Sequence, residues 1–183
     1  MDIQRGSGNK EAMTIEDDKP DMQQTTITVP PEALDPVASE ILRGTSRMLI
    51  DAGLTPIAEF VLPSGRRADI AALSRDGLFT IIEIKSSLAD FRSDGKWPEY
   101  AAYCDRFYFA VRPDFPNDVI PADCGLILAD RYGAEIVRKA AQAPPLAPAR
   151  RKMLTLRFAR TAALRLAATL DPELKARPEA KEA

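Results

Sequence analysis

Three polar residues interrupt stretches that otherwise read as buried strand. Asp69 stands among Ala68, Ile70 and Ala71, and Glu83 and Lys85 flank Ile84 at the end of the run Phe79-Thr80-Ile81-Ile82. Strand residues two apart share a face, so Glu83 and Lys85 project together. Asp69 precedes Glu83 by 14 residues, and a hairpin turned at Asp76-Gly77 brings it alongside. Two carboxylates held close in a poorly solvated place are costly unless a cation neutralises them. Mg²⁺, or Mn²⁺ in its place, does this better than a lysine alone. Such an ion takes a few carboxylates, backbone oxygens and waters, and leaves room for a phosphate. Asp69 and Glu83 are therefore the candidate metal ligands, with the Ile84 carbonyl as a further one. Lys85 is placed to orient or help deprotonate a water and to offset charge developing on a phosphoryl group. The chemistry that fits this set is phosphodiester hydrolysis.

The composition removes most competing chemistries. The chain has 183 residues, no histidine and two cysteines, Cys104 and Cys124. Without histidine there is no Ser-His-Asp or Cys-His catalysis and no histidine zinc site. Two thiols make neither a four-thiolate zinc site nor a disulfide framework, and both read as small buried hydrophobes. No phosphate-cradling glycine loop or nucleophile elbow is present, so no small-molecule cofactor is expected. No run approaches the ~18 apolar residues of a membrane span, and Met1 to Gln24 lacks the apolar core of a signal peptide. The expectation is a cytoplasmic protein with no membrane partner.

The elements that must position the three residues follow from periodicity. Residues 1–30 read as a disordered polar tail, 31–170 as one domain and 171–183 as a flexible tail. A helix is expected from about Pro31 to Asp51, with Gly53 as its stop signal. Strands follow at Ile57 to Leu62, Arg67 to Leu73 and Leu78 to Lys85, the last continuously apolar enough to be central. Residues 86–104 read as helix in two pieces, broken by Gly95 and Pro98. Arg106 to Val111 is a fourth strand, and the helical crossover before it permits parallel pairing with the third. A strand pair, Gly125 to Ala129 and Ala134 to Val137, precedes a last helix from about Ala149 to Leu170. Met153, Leu156, Ala163, Leu164 and Leu170 form the apolar stripe expected to face the core. The fold class is α/β: a mixed sheet flanked by helices, with an αβββαβ core, a C-terminal strand pair and a helix.

Charge is segregated along the chain. The formal net charge is −2, yet residues 150–170 carry six basic and no acidic side chains. A polyanion would have to meet this local surface. Arg150, Arg151, Lys152 and Arg157, with Arg160 and Arg165 further along, are the candidate backbone contacts, giving salt-sensitive affinity without sequence reading. Lys96 is a further phosphate contact, with Trp97 and Tyr100 beside it as base-stacking candidates. Arg67 alternates onto the side of Asp69 and is placed to touch the nucleic-acid backbone.

Asp69 followed by Glu83-Ile84-Lys85, on a helix–three strands–helix–strand core, resembles the PD-(D/E)xK nuclease superfamily of restriction-endonuclease-like folds. Ala68 stands where the motif usually has proline. The longer strings Arg66-Arg67-Ala68-Asp69-Ile70, Glu83-Ile84-Lys85-Ser86-Ser87, Asp90-Phe91, Lys96-Trp97-Pro98-Glu99-Tyr100 and Cys104-Asp105-Arg106-Phe107-Tyr108-Phe109-Ala110-Val111 resemble the MmcB family of bacterial DNA repair proteins. The resemblance runs from about Pro31 to Leu170. It implies a metal-dependent deoxyribonuclease acting on DNA in repair, alone or beside other repair proteins. It also implies an additional acid from the first strand or the preceding helix, for which Glu59 is the candidate and Glu40 the rival. The other reading is a nuclease-like fold that binds a DNA structure or a partner without cutting, since folds of this kind host both.

Overall fold

A computed structural model describes residues 35–141 and 144–174 of the chain. Helix α1 spans Pro36–Asp51. Its start is set by Asp35, whose side chain accepts from the Val37 amide at 3.4 Å, followed by a proline in the first turn. The helix thus begins later than the expected Pro31, because Pro36 and not Pro31 has the capping residue before it. The expected N-terminal tail lies outside the described residues, as do residues 175–183 of the expected C-terminal one.

Three strands follow as a meander: β1 (Thr55–Val61), β2 (Arg67–Leu73) and β3 (Phe79–Lys85). The β2–β3 turn closes on Gly77, whose φ of +75° only glycine adopts without strain. The Leu78 amide donates to Ser74 Oγ across it. All seven residues of β3 are buried, as its apolar run predicted. Helix α2 (Leu88–Ser93) and a 3-10 helix (Trp97–Tyr103) form the crossover, broken where expected. Strand β4 (Arg106–Val111) returns parallel to β3. Then come β5 (Gly125–Ala129), parallel to β4, and β6 (Ala134–Arg138), antiparallel to β5. A 3-10 turn at Asn117–Val119 interrupts the loop before β5. Helix α3 spans Pro148–Leu170. The six strands lie in the order β1-β2-β3-β4-β5-β6, so β1 and β6 are the edges.

Helices cover both faces. Ile41, Leu42 and Leu49 of α1 pack with Ile70, Ala72, Ile82, Ile84, Tyr108, Ala110 and Ile127. Gly44 allows α1 to lie against the β5–β6 turn: a Cβ there would stand 2.0 Å from the Asp130 carbonyl oxygen and 2.4 Å from that of Gly133. A second core joins Phe60, Ala71, Phe79 and Ile81 to Tyr100, Leu154 and Phe158. Phe158 of α3 sits 5.8 Å from the Phe60 ring and 6.0 Å from that of Phe79. A third cluster, Phe109, Val111, Phe115, Ile120 and Leu126, extends the packing under α2.

Helix α3 faces the sheet with a different side from the one its apolar residues predicted. Its buried residues are Leu154, Arg157, Phe158 and Thr161; of the expected stripe Met153 packs against the core and Leu164 is half-buried, while Leu156, Ala163 and Leu170 are exposed. The reason lies in the edge strand. Arg157 donates to the Val61 carbonyl at 3.1 Å, and Arg165 donates to the carbonyls of Ala58 and Glu59. The unpaired carbonyls of β1 are satisfied by these arginines, and this turns the helix. No helix among the described residues is long and apolar enough to cross a membrane.

Candidate active site

The site is built on one row across three strands. Ile70 pairs with Ile82 in the β2–β3 ladder, and the same register sets Asp69 opposite Glu83. Ala58 pairs with Ile70 and Phe60 with Ala68, so Glu59 falls opposite Asp69 on the other side. The ladder breaks at Glu59, whose φ is +51°, the one positive value for a non-glycine among the described residues. Such a conformation costs on the order of 1–2 kcal/mol and persists because the surroundings impose it. Arg165 of α3, holding the carbonyls on both sides of that α-carbon, is what imposes it.

The row opens into a cavity of about 320 Å³ lined by Asp35, Ala38 and Leu42 of α1 and its cap, by Glu59, Asp69, Glu83, Ile84 and Lys85, and by Ser86 and Asp90. Asp69 Oδ2 accepts the Ile84 amide at 2.7 Å, which locks β2 to β3 at the site. Lys85 Nζ lies 3.8 Å from Glu83 Oε1 and donates to Asp94 Oδ2 at 2.6 Å. Ser86 donates its amide to Asp90 Oδ2, and Asp90 donates its own to Ser87 Oγ, so Ser87 caps the start of α2 while Asp90 ties it back to the end of β3.

Burial and mutual repulsion set the electrostatics. Burial pushes the Asp69 carboxyl up to about 6, against the Ile84 amide and Lys85, which pull it down. Burial, followed by the charge of Asp69, pushes Glu83 up to about 8. Burial works to lower Lys85, but the hydrogen bond to Asp94 and the charges of Glu83, Asp94 and Asp90 outweigh it and raise the ammonium above its ordinary value. Asp94 is drawn below its ordinary value: burial opposes this, and the hydrogen bond from Lys85 prevails. Lys85 is thus a fixed positive charge.

The donor set fits a hard divalent cation. Glu83 Oε2 is buried and finds no hydrogen-bond partner. A buried carboxylate oxygen with no donor, beside a second raised carboxylate, is a group that a bound cation would satisfy. No three histidine, cysteine, aspartate or glutamate side chains among the described residues form a ready metal cage. Two carboxylates are what Mg²⁺ uses when substrate phosphate and water complete its shell.

The remaining sequence candidates fall elsewhere. Arg67 is exposed and ion-paired through Nε to Glu59 Oε2. Lys96 is exposed, two residues beyond Asp94, to which it donates its amide. Arg151 is turned inward: its guanidinium meets both Asp105 oxygens at 2.9 and 2.8 Å and the Gly77 carbonyl at 2.6 Å. Arg157 is buried against β1. These two dock α3 on the sheet and do not present themselves to a nucleic-acid backbone. Arg150 and Lys152 stay exposed, Arg150 lying over the Tyr103 ring. Trp97 and Tyr100 both stack on Phe107, with centroids 5.6 and 6.1 Å away, and belong to the core. Glu40 does not line the cavity. Sequence reasoning missed Asp94, and it read Arg165 as a nucleic-acid contact where the structure sets it on the Ala58 and Glu59 carbonyls. Asp94 has only its place beside the Gly95 break as a signal, and Arg165 has none, since its acceptors are backbone atoms more than a hundred residues away.

Residues 30–173 match the family model of the MmcB-like DNA repair proteins. No curated protein matches the sequence. Among solved structures, the SPO1766 protein of unknown function from Silicibacter pomeroyi is similar, with 45% identity over 79% of this chain and 97% of that one, and a TM-score of 0.74.

Proposed function

Because the chain belongs to the MmcB-like family of DNA repair proteins, we propose that it is a metal-dependent deoxyribonuclease of the PD-(D/E)xK kind, hydrolysing phosphodiester bonds in DNA repair. One observation carries the reading. A half-buried carboxylate, Asp69, and a buried one, Glu83, face each other across β2 and β3 beside a buried lysine, and one Glu83 oxygen has no partner.

Asp69, Glu83 and the Ile84 carbonyl would hold Mg²⁺ or Mn²⁺. When bound, the ion supplies Lewis acidity toward a phosphoryl oxygen and neutralises the two carboxylates. The chain's own residues do the rest. Lys85, kept protonated by Asp94, holds a positive charge where the pentavalent phosphorus gathers negative charge. Asp94 is a positioning residue, acting through Lys85. Glu59 is fixed at the rim of the site by Arg165. Arg67 and Lys96, with Arg150 and Lys152 on α3, are the sequence candidates that stay exposed to the DNA backbone, and their contribution is salt-sensitive.

The test is a cleavage assay with Mg²⁺ and then Mn²⁺ on linear, nicked, flapped, branched and single-stranded DNA, with Lys85→Ala beside wild type. Cleavage lost in the folded variant supports the assignment, and full activity in Lys85→Ala overturns it. A module that binds DNA without cutting is the second reading. It is favoured by the engagement of Lys85 with Asp94 and of Glu59 with Arg67. DNA binding with no cleavage and no calorimetric heat from either metal would select it.

A further inference from the structure

Helix α3 has 23 residues and touches the domain along one side only. The outer side carries Leu156, Ala159, Ala163, Leu166 and Leu170, all exposed and separated by steps of 3, 4, 3 and 4 residues. Leu156, Leu166 and Leu170 are 47%, 61% and 78% exposed. A solvated helix face has no reason to repeat apolar residues at alternating threes and fours, whereas that spacing is the seam along which two helices pack. The two central alanines let a second helix approach closely.

The charges name the occupant. The first turns of α3 carry Arg150, Arg151 and Lys152 and no acid. The last turn has no base and is followed by Asp171 and Glu173. Both ends run against the helix's own macrodipole, which favours acids first and bases last. The arrangement becomes favourable if a helix of the same sequence lies beside it in the opposite direction. Lys152 then comes alongside Asp171 and Glu173 of the second copy, and each helix dipole meets its reverse.

We propose that α3 is a self-association surface, on which a second copy of this chain docks antiparallel through the Leu156–Leu170 seam. The twofold arrangement sets Leu156 against Leu166 of the second copy and Ala159 against its Ala163, and the same contacts repeat by symmetry. A polyanion has no use for the leucines.

The experiment is sedimentation of the full chain from about 1 to about 200 µM, where mass action reveals a monomer–dimer equilibrium. A concentration-dependent dimer is expected. Ala163→Glu buries a charge in the seam and should weaken association about a hundredfold. Its circular dichroism should match wild type, and so should its unfolding midpoint at concentrations where both are monomeric, since Ala163 is exposed in the monomer. A chain that sediments as monomer throughout overturns the proposal, including one that instead binds anionic vesicles as a monomer. So does a dimer that Ala163→Glu leaves intact. Should that variant misfold, the charge pair decides: Lys152→Glu and Glu173→Lys should each weaken the dimer about fivefold, and the double variant should restore it. No restoration refutes the antiparallel arrangement.

Discussion

Glu83→Gln is expected to stabilise the metal-free protein at alkaline pH and to leave it almost unchanged at acid pH. Burial and the neighbouring Asp69 lift the Glu83 carboxyl from 4.5 to about 8. At about 1.4 kcal/mol per pH unit, that rise sets an upper limit of about 5 kcal/mol on the cost of ionising Glu83 inside the fold. Relaxation and water entry reduce such penalties, so a gain of about 2–3 kcal/mol above pH 8 is the expected size. The sign follows from proton counts. A carboxyl whose pKa rises on folding keeps its proton longer in the native state than in the unfolded one. Between pH 4.5 and about 8 the native state therefore binds more protons, and wild-type stability falls as pH rises through that window. Glutamine matches the shape of the protonated acid and does not titrate, so the variant loses the fall that Glu83 causes. The Asp94–Lys85 hydrogen bond remains to hold the lysine. The assay is urea unfolding in the presence of a chelator at pH 5, 7 and 9, with the slope m checked for constancy. For a domain of this size each kcal/mol also moves Tm by about 3–5 °C. A gain of the same size at pH 5 and pH 9, or a loss at pH 9, would refute the reasoning. A gain that grows with pH would identify a site held at a cost in stability, the usual trade-off at functional positions.

Three further outcomes follow from the same geometry. Asp94→Asn removes the main support for the Lys85 ammonium and leaves burial to act, so the Lys85 pKa should fall and the alkaline limb of kcat/KM against pH should move to lower pH; an unmoved limb contradicts the role given to Asp94. Asp105→Ala leaves Arg151 without its bidentate partner and should cost about 3–5 kcal/mol in guanidinium unfolding at neutral pH. Arg151, aided by the Phe79 amide, holds the Asp105 carboxyl below its ordinary value against the opposing effect of burial, so this stability is present above about pH 4 and is lost as pH falls below it; an equal loss at pH 7 and pH 2 would count against the ion pair. Arg165→Met removes both donors from the Ala58 and Glu59 carbonyls and should destabilise the fold by about 1–3 kcal/mol, with hydrogen exchange quickened first in β1.

Much of the fold was legible because its signals are local. The Asp76-Gly77 hairpin, the unbroken apolar run of β3 and the Gly95 break each act over a few residues, and β2, β4 and β5 have the boundaries their sequences indicate. The meeting of Asp69, Glu83 and Lys85 belongs to the same class, since strand period and hairpin arithmetic suffice to place them on one face. The roles of the arginines do not. Along the chain, Arg151, Arg157 and Arg165 are indistinguishable from Arg150 and Lys152, and all read as one basic helix. What separates them is where acceptors lie in space: Asp105, the Gly77 carbonyl and the open carbonyls of edge strand β1, up to 107 residues away. Those acceptors also chose which side of α3 faces the sheet, and they overrode its apolar stripe. The same holds for Asp94 against Lys85 and for Trp97 and Tyr100 against Phe107. By itself the sequence determined the strands, the hairpin and the row of charged residues, because neighbours along the chain dictate them. Only the tertiary structure decided which charges are buried as partners and which are left to meet another molecule, because that depends on backbone groups brought near by the closing of the sheet.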